Sequence, residues 1–303
     1  MTQELAVEVR SLFKSYGAVE AVGGIDLDIR CGEVFALIGP NGAGKTTTLE
    51  ILEGHRDRDS GEVSVLGFDP EQRSRALKER IGIVLQSTSV SQYLRVEEAV
   101  DMFRGYYPHP RPLDEVLELV ALTEDRHRLV RRLSGGQQRR LDVAIGLAGD
   151  PDLIFLDEPT TGFDPSARRA AWEMIRGLRS LGKTVLLTTH YMDEAQALAD
   201  RVAIISRGHI VAEGTPDDLR ARERDSLVSF RKPSTEIPAE LAAGAQLDGG
   251  RVTIITTDPT RLLRDLTTWA IEAGVTLDDL AVSRVSLEDV YLRVSAVSQE
   301  DGE

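Results

Sequence analysis

The segment GPNGAGKTT, residues Gly39 to Thr47, constrains the fold of this chain more than any other feature. An apolar run from Val34 to Ile38 precedes it, and a helix-competent run from Thr48 to Leu52 follows it. This order of strand, glycine-rich loop and helix is what a phosphate-binding loop requires. The simpler interpretation, from the loop alone, is an ordinary glycine-rich turn before a helix.

Each residue type in this phosphate loop has a chemical use. Gly39, Gly42 and Gly44 let the backbone turn tightly, so that its N–H groups can approach phosphate oxygens. The helix that follows directs the positive end of its dipole at the same anion. Lys45 adds a full positive charge, and Thr46 adds a hydroxyl of the kind that holds Mg²⁺ beside the β- and γ-phosphates.

Length and composition limit the number of domains and the classes of partner that this chain can have. A chain of 303 residues with 41% hydrophobic content is long enough for one core domain and one smaller domain. The formal net charge of −14 argues against general affinity for nucleic acid or anionic lipid, since both reward clustered Lys and Arg. The single cysteine, Cys31, indicates a reducing compartment and predicts a buried apolar side chain.

Two segments before the loop alternate apolar and polar residues with period two. They run from Leu5 to Val9 and from Ile25 to Ile29, and the pattern predicts half-buried antiparallel strands. Tyr16 lies in the connection between them. An aromatic ring there could stack on an adenine, and it could equally well only pack the turn.

After the loop, residues 60–65 and 81–85 read as strands, and Gln86 follows the second. A glutamine at that exit could reach a metal ion or an attacking water, although most such residues simply begin a loop. From about 87 to 132 the apolar spacing becomes helical, which predicts a helical insert in an α/β core. Ser134, Gly135, Gly136 and Gln137 then open a further helix, and they form either a second anion cradle or only a capped helix start.

The apolar run Leu153 to Leu156 ends in two acids, Asp157 and Glu158. Carboxylates at the carboxyl end of a buried strand sit where open α/β sheets place ligands, and without partners they would cost stability. We therefore expect Asp157 to contact Mg²⁺ through water and Glu158 to orient or deprotonate the attacking water.

Two more polar residues stand at the ends of predicted elements, where side chains could reach the phosphate site. Asp164 stands in a tight turn near the start of a helix, and His190 closes another apolar strand, residues 184–189. A lone histidine is usually a surface or core residue. Its place beside the predicted phosphate site favours contact with the γ-phosphate or with the water.

The rest of the chain predicts a second unit and no membrane span. Residues 226–303 contain two strand patterns, a helix near 261–271 and an apolar helical stripe at Leu287, Val290, Tyr291 and Val294. A small α+β accessory domain is the expectation, after a nucleotide-binding domain at 1–222. The polar start lacks a signal peptide and no apolar run approaches ~20 residues, so a cytoplasmic chain is expected.

Together these motifs resemble the nucleotide-binding subunit of an ATP-binding cassette transporter, over about Leu5 to Leu219. The resemblance rests on six matches: the phosphate loop, Gln86 as glutamine loop, Leu133 to Gln137 as signature segment, Leu153 to Glu158 as acidic strand, the turn Gly162 to Pro165, and His190 as switch. Phe163 stands where the family usually has leucine, and this bulkier apolar side chain could alter the dimer interface. The segments Gly208 to Pro216 and Ser286 to Tyr291 look like those of daunorubicin-type drug-resistance exporters.

The resemblance implies a phosphate-loop ATPase core of mixed sheet, with an antiparallel β subdomain, the helical insert and a small C-terminal α+β domain. It implies ATP and Mg²⁺ as cofactors, with Thr46, Gln86 and Asp157 toward the metal and Lys45, Gln86, Glu158 and His190 as catalytic residues. The implied nucleotide contacts are Tyr16, Gly39, Asn41, Gly42, Gly44, Lys45, Thr46, Thr47, Ser134, Gly135, Gly136, Gln137 and Asp164.

The implied partners are a second copy of the chain, paired head to tail around ATP, and a separate transmembrane permease that moves the exported compound. The chain would then lie on the inner face of the plasma membrane. A soluble cassette protein acting on ribosomes or DNA would normally show two cassettes or long coiled-coil inserts. A phosphate-loop kinase or GTPase would lack the signature segment and the switch histidine.

Overall fold

The computed structural model describes residues 4–84, 90–222, 226–242 and 244–284. Gln86 and the predicted apolar stripe from Leu287 to Val294 therefore lie outside the described residues. The contacts between Cα atoms divide the chain into two compact units, residues 1–216 and 217–303. The predicted domain boundary near residue 222 stays a prediction.

A three-stranded antiparallel sheet with the order β2-β1-β4 forms the first layer of the first unit. Its strands are β1 (Leu5–Tyr16), β2 (Val19–Arg30) and β4 (Ser60–Val65). Both period-two segments lie in β1 and β2, and their apolar side chains are buried on one face, as the alternation predicts. Cys31 follows β2 and is exposed, so the prediction of a buried side chain is wrong. The cause is position, because Cys31 begins the turn Cys31-Gly32 rather than continuing the strand.

A six-stranded sheet with the order β5-β6-β7-β3-β8-β9 forms the second layer. Neighbouring strands are parallel except β9, which is antiparallel to β8. The strands are β3 (Val34–Ile38), β5 (Ile81–Val84), β6 (Leu153–Asp157), β7 (Thr184–Thr189), β8 (Arg201–Ser206) and β9 (His209–Gly214). In β3, β6 and β7 the residues are almost all buried, which explains why they read as continuous apolar runs.

The helices of the first unit are α1 (Lys45–Leu52), α2 (Arg75–Lys78), α3 (Val96–Arg104), α4 (Leu113–Leu119), α5 (Gly135–Leu147), α6 (Pro165–Ser180) and α7 (Met192–Leu198), with 3₁₀ turns at Pro70–Gln72 and Val130–Arg132. Of these, α3 and α4 lie within the predicted helical insert, residues 87–132. The apolar residues of α3 and α4 that share a helical face in the sequence are buried, among them Val96, Val100 and Val116. The main core joins both sheets through side chains such as Leu27, Phe35 and Phe155.

The second unit is a small α+β structure, described here by itself. A four-stranded antiparallel sheet has the order β11-β12-β10-β13, and its elements with the neighbouring helices are α8 (Pro216–Arg222), β10 (Ser226–Arg231), β11 (Gln246–Asp248), β12 (Arg251–Thr256), α9 (Pro259–Glu272) and β13 (Ala281–Arg284). Helix α9 buries Leu266 against Val228, Phe230, Val252 and Ile254.

Candidate active site

Three strands of the six-stranded sheet end at the same edge, and each end carries a predicted functional residue. Strand β7 lies between β6 and β3, with Ile38 paired to Thr189 and Asp157 paired to Thr188. Neighbouring strand ends therefore carry the phosphate loop, His190 and the acid pair, which is Asp157 and Glu158. This is the edge at which open α/β sheets bind ligands.

Close approach of the backbone requires glycine in the phosphate loop. Gly44 caps α1 with a left-handed φ of 106°, and a Cβ on it would stand 2.3 Å from the carbonyl oxygen of Ala21. A Cβ on Gly39 would stand 2.3 Å from the carbonyl oxygen of Ile205. The loop is thus pressed against β2 and β8, and the first N–H groups of α1, which have no intrahelical partner, are presented to an anion.

The Lys45 side chain is folded back over this loop and is only 5% exposed. Its Nζ donates to the carbonyl oxygens of Gly39 at 2.8 Å and Pro40 at 3.0 Å, and it lies 3.6 Å from Oε1 of Glu158. Burial lowers the pKa of Lys45, and the charge of Glu158 opposes that change. The ammonium group is therefore positioned between the phosphate loop and the acid pair.

Glu158 is held in an unusual backbone conformation, with a left-handed φ of 44°. Its N–H donates to the carbonyl oxygen and to Oγ1 of Thr188, both at 3.1 Å, and its Oε2 accepts from Oγ1 of Thr161 at 3.0 Å. Such conformations cost free energy and cluster at active sites.

The protonation state of Glu158 suits a base. Burial on its own would raise the pKa of this carboxyl, but the hydrogen bond from Thr161, the neighbouring His190 and the charge of Lys45 hold the pKa below its ordinary value. The carboxylate is ionised at neutral pH, as a proton acceptor must be.

His190 lies against this carboxylate, with its Nδ1 3.3 Å from Oε1 of Glu158. The two atoms are not aligned as a hydrogen bond within the described structure, so the contact is an ion pair only when the imidazole is protonated. The ring also packs on Tyr191, with centroids 4.0 Å apart. The structure thus brings the switch histidine to the predicted base.

Asp157 and Thr46 fit a magnesium ion that is shared with substrate phosphates. Oδ1 of Asp157 accepts a hydrogen bond from Oγ1 of Thr188 at 2.5 Å, and Thr46 is exposed and lines one cavity together with Asp157. Within the described residues no group of three or more His, Cys, Asp or Glu is arranged to hold a metal. Mg²⁺ usually takes one or two protein ligands together with phosphate oxygens and water, so this donor set suits it.

One cavity of about 510 Å³ collects most of the predicted nucleotide residues. It is lined by Tyr16, Ala21, Asn41, Gly42, Gly44, Lys45, Thr46, Thr47, Asp157 and Glu158. The Tyr16 ring is 40% exposed there, and the guanidinium carbon of Arg56 lies 5.1 Å from its centroid. Tyr16 therefore borders the cavity rather than only packing its turn.

The signature segment borders a different cavity, of about 620 Å³, together with Asp164. Ser134 and Gln137 cap α5 reciprocally: Oγ of Ser134 accepts from the Gln137 N–H at 3.3 Å, and Oε1 of Gln137 accepts from the Ser134 N–H at 3.0 Å. Asp164 caps α6 by accepting from the N–H groups of Ser166 and Ala167. Phosphate loop and signature segment thus line separate cavities of this chain.

Two buried charged residues near the site were not found from the sequence. Arg139 in α5 donates to the carbonyl oxygens of Asp157 and Pro159, and Glu194 in α7 accepts from Nε1 of Trp172 at 3.3 Å. Burial raises the pKa of Glu194. A signal for Arg139 did exist, because it shares a helical face with Val143 and Leu147, four and eight residues on.

Comparison with solved structures gives the class of the fold. An ATP-binding subunit of an ABC transporter superposes with a TM-score of 0.64 at 26% identity, over 72% of this chain and 92% of that one. A dimeric ATP-binding cassette in a post-hydrolysis state, bound to ADP and Pi, gives 0.61 at 25% identity, over 69% and 98%. The first unit is therefore an ATP-binding cassette.

Comparison with known sequences narrows the class. Residues 22–161 match the ABC transporter domain, and residues 226–286 match the C-terminal domain of ABC transporter domain-containing proteins. A daunorubicin resistance ATP-binding protein of Streptomyces coeruleorubidus is 35% identical, over 96% of both chains. A Nod factor export ATP-binding protein of Sinorhizobium fredii is 35% identical, over 98% of this chain and 88% of its own.

The chain belongs to the ABC transporter family, as an ATP-hydrolysing subunit of the group that includes the daunorubicin-resistance ATP-binding proteins. The expected fold and ATPase activity are confirmed, and the alternative of a cassette acting on ribosomes or nucleic acid is not favoured. In the part of the chain that the structure describes, no helix has the length and apolarity needed to cross a bilayer.

Proposed function

We propose that two copies of this chain pair head to tail, with each ATP held between the phosphate loop of one copy and the signature segment of the other. The observation that carries this proposal is the separation of the two motifs into different cavities of one chain. A solved relative of the first unit is a dimer, which supports the pairing.

In the proposed site, Lys45 and the N–H groups at the start of α1 bind the phosphates, and Thr46 and Asp157 hold Mg²⁺. The metal would supply charge neutralisation and orientation of the phosphates. Glu158 accepts a proton from the attacking water, supported by its lowered pKa and its fixed backbone. His190 contacts the γ-phosphate and keeps the Glu158 carboxylate in place. Tyr16 stacks on the adenine.

We further propose that the pair powers export of a hydrophobic compound through a separate membrane subunit, on the inner face of the plasma membrane. Relatives named for daunorubicin, doxorubicin and Nod factor export support this class of cargo. ATP binding closes the pair and hydrolysis opens it, and the difference in affinity between the two states drives the membrane subunit. In this family the membrane subunit selects the cargo, so identifying what co-purifies from solubilised membranes tests this part.

The pairing is tested in Glu158→Gln, which keeps the shape of the site but cannot accept the proton. With ATP and Mg²⁺ this variant should sediment as a dimer, and without nucleotide it should not. The matched control adds Ser134→Arg, which obstructs the signature segment while leaving the phosphate loop untouched. The double variant should still bind ATP at its own phosphate loop, with the affinity of a single chain, and remain monomeric. An equally strong dimer in the double variant would contradict the head-to-tail arrangement.

A further inference from the structure

Arg139 contacts the carbonyl groups of the two residues that flank Glu158, and this contact carries a further inference. Arg139 is 7% exposed and lies in α5, two residues after the signature segment. Its Nε donates to the carbonyl oxygen of Pro159 and its Nη2 donates to the carbonyl oxygen of Asp157, each at 3.2 Å. The guanidinium thus donates hydrogen bonds to the backbone of the residue before the proposed base and of the residue after it.

These two hydrogen bonds add to other backbone restraints on Glu158. Strand β7 holds the Glu158 N–H through Thr188, and α5 holds the neighbouring carbonyls through Arg139. A residue at a left-handed φ stays there only when its surroundings over-determine it. A planar guanidinium with several fixed donors can hold two carbonyls at once, which a lysine ammonium does less well.

Packing alone does not explain a charge at this position. Val143 and Leu147, on the same face of α5, are apolar and buried. Burying an arginine costs free energy, which the nearby carboxylates of Asp142, Asp157 and Glu194 offset; an oxygen of Asp142 lies 3.9 Å from Nη1. An apolar side chain would cover the same core but could not donate to the carbonyl oxygens of Asp157 and Pro159.

We propose that Arg139 is a positioning residue that couples the signature segment to the Glu158 carboxylate of the same chain. The proposal rests on the head-to-tail pair, in which the signature segment contacts the ATP bound to the partner. A small displacement of α5 on that contact is passed by Arg139 to the Asp157 and Pro159 peptides and so to the base. Each subunit then hydrolyses its own ATP fastest when the partner's site is also filled.

Steady-state ATP turnover of the full-length chain tests this coupling. In Arg139→Gln, kcat should fall about 10- to 100-fold, since displacements near 1 Å at a catalytic group have that effect. Affinity for ATP, measured by titration in the Glu158→Gln background at concentrations where the chain is monomeric, should change less than about twofold. The Hill coefficient for ATP should fall from above one to one. Arg139→Lys should recover part of both kcat and cooperativity.

Arg75→Gln is the control, because Arg75 is an exposed arginine of α2 that pairs with Glu79 and lines neither of the two cavities described above. It should retain wild-type kcat and Hill coefficient, and thermal unfolding of all variants separates a loss of folding from a loss of coupling. An Arg139→Gln protein with wild-type kcat, or with reduced kcat and unchanged cooperativity, overturns the proposal. If Arg139→Gln does not fold, an Arg139→Lys protein with wild-type kcat and cooperativity overturns it equally. Wild-type protein that turns over ATP without cooperativity and never dimerises overturns the pairing instead.

Discussion

The two units of the chain bury different kinds of residue. In the first unit, many buried polar and charged side chains lie near the candidate active site, among them Lys45, Arg139, Thr160, Thr188 and Glu194, whereas Glu33 and Thr184 lie at the opposite end of the sheet. In the second, the core consists of apolar side chains such as Phe230 and Leu266, and no polar or charged side chain is buried among the residues described there.

This difference distinguishes residues that are buried for packing from residues that are buried for a chemical role. A buried polar group costs free energy unless it is paired, so a fold retains such groups where they have a use. In the first unit, several such buried polar groups lie at the strand ends next to the phosphate loop. In the described part of the second unit the core is apolar, which is what packing alone requires.

The largest expected effect of a single change is on turnover in Glu158→Gln. Replacing the carboxylate removes the proton acceptor, so kcat should fall about 10²- to 10⁴-fold while ATP affinity is kept. Turnover is measured by phosphate release and affinity by titration. Wild-type turnover in this variant would contradict the assignment of the base.

Phe230→Ala tests the opposite prediction in the second unit. Phe230 is fully buried between the sheet and α9, so its truncation should destabilise that unit by about 3–5 kcal/mol. ATP turnover by the folded protein should stay within about twofold of wild type. Val282→Ala, at an exposed apolar residue of the same sheet, is the control and should cost less than about 0.5 kcal/mol. A loss of ATP turnover that matched the loss of stability would erase the contrast between the units.

Glu53 gives the first unit a pH dependence of stability. Burial raises the pKa of this 6% exposed carboxyl to about 8, with Asp157 and Glu50 adding to the effect. A folded pKa above the unfolded one means that the folded state keeps its proton longer, so stability falls as the pH rises from about 4.5 to about 8.

Glu53→Gln removes this titration. Urea unfolding should therefore show equal pH slopes for the two proteins below about pH 4.5, and the variant should gain about 2–4 kcal/mol relative to wild type between pH 5 and pH 8. A stability difference that did not change with pH across that window would show that the buried carboxyl titrates normally.

Lys45→Ala should weaken ATP binding rather than chemistry alone. The ammonium group makes charge-assisted contacts worth roughly 1.5–3 kcal/mol, which corresponds to about a 10- to 100-fold loss of affinity. Isothermal titration measures this directly. Lys78→Ala, at an exposed lysine of α2, is the control for charge and should bind ATP as wild type does. Equal affinity in Lys45→Ala and in the control would exclude a phosphate contact.

The smallest expected effect is on self-association after removal of the second unit. A chain that ends at Arg224 should keep its basal ATP turnover, because every residue assigned to the chemistry precedes Leu219. If the second unit contacts the partner subunit, sedimentation without nucleotide should show weaker association. An unchanged association constant would leave this unit with a packing role alone.

The sequence predicted the elements whose residues share one environment. Strands β3, β6 and β7 are buried on both faces and therefore read as apolar runs, and the glycine spacing of the phosphate loop follows from backbone contacts that only glycine allows. The family's fold, the mixed sheet and the ATPase activity followed from these runs and motifs. The roles of the individual site residues stay predictions.

Residues whose burial depends on a distant segment were not predictable in this way. Glu194 looks like part of the solvated face of a helix until α6 is brought against it, and the apolar face that Arg139 shares with Val143 and Leu147 indicates burial but not its contacts with β6. Arg56 lies 40 residues from Tyr16 in the sequence, and only the antiparallel sheet brings its side chain over the ring. Exposure of Cys31 likewise depends on where β2 ends.

The position of Tyr16 on one sheet and of Lys45 after a strand of the other bears on nucleotide selectivity. The antiparallel sheet presents the Tyr16 ring beside the cavity, and the six-stranded sheet leads into the groups that are predicted to bind the phosphates. Stacking on a ring face tolerates any purine, whereas charge and backbone N–H groups respond to the number of phosphates. The arrangement therefore predicts an enzyme that hydrolyses GTP nearly as well as ATP, while distinguishing sharply between a triphosphate and a monophosphate.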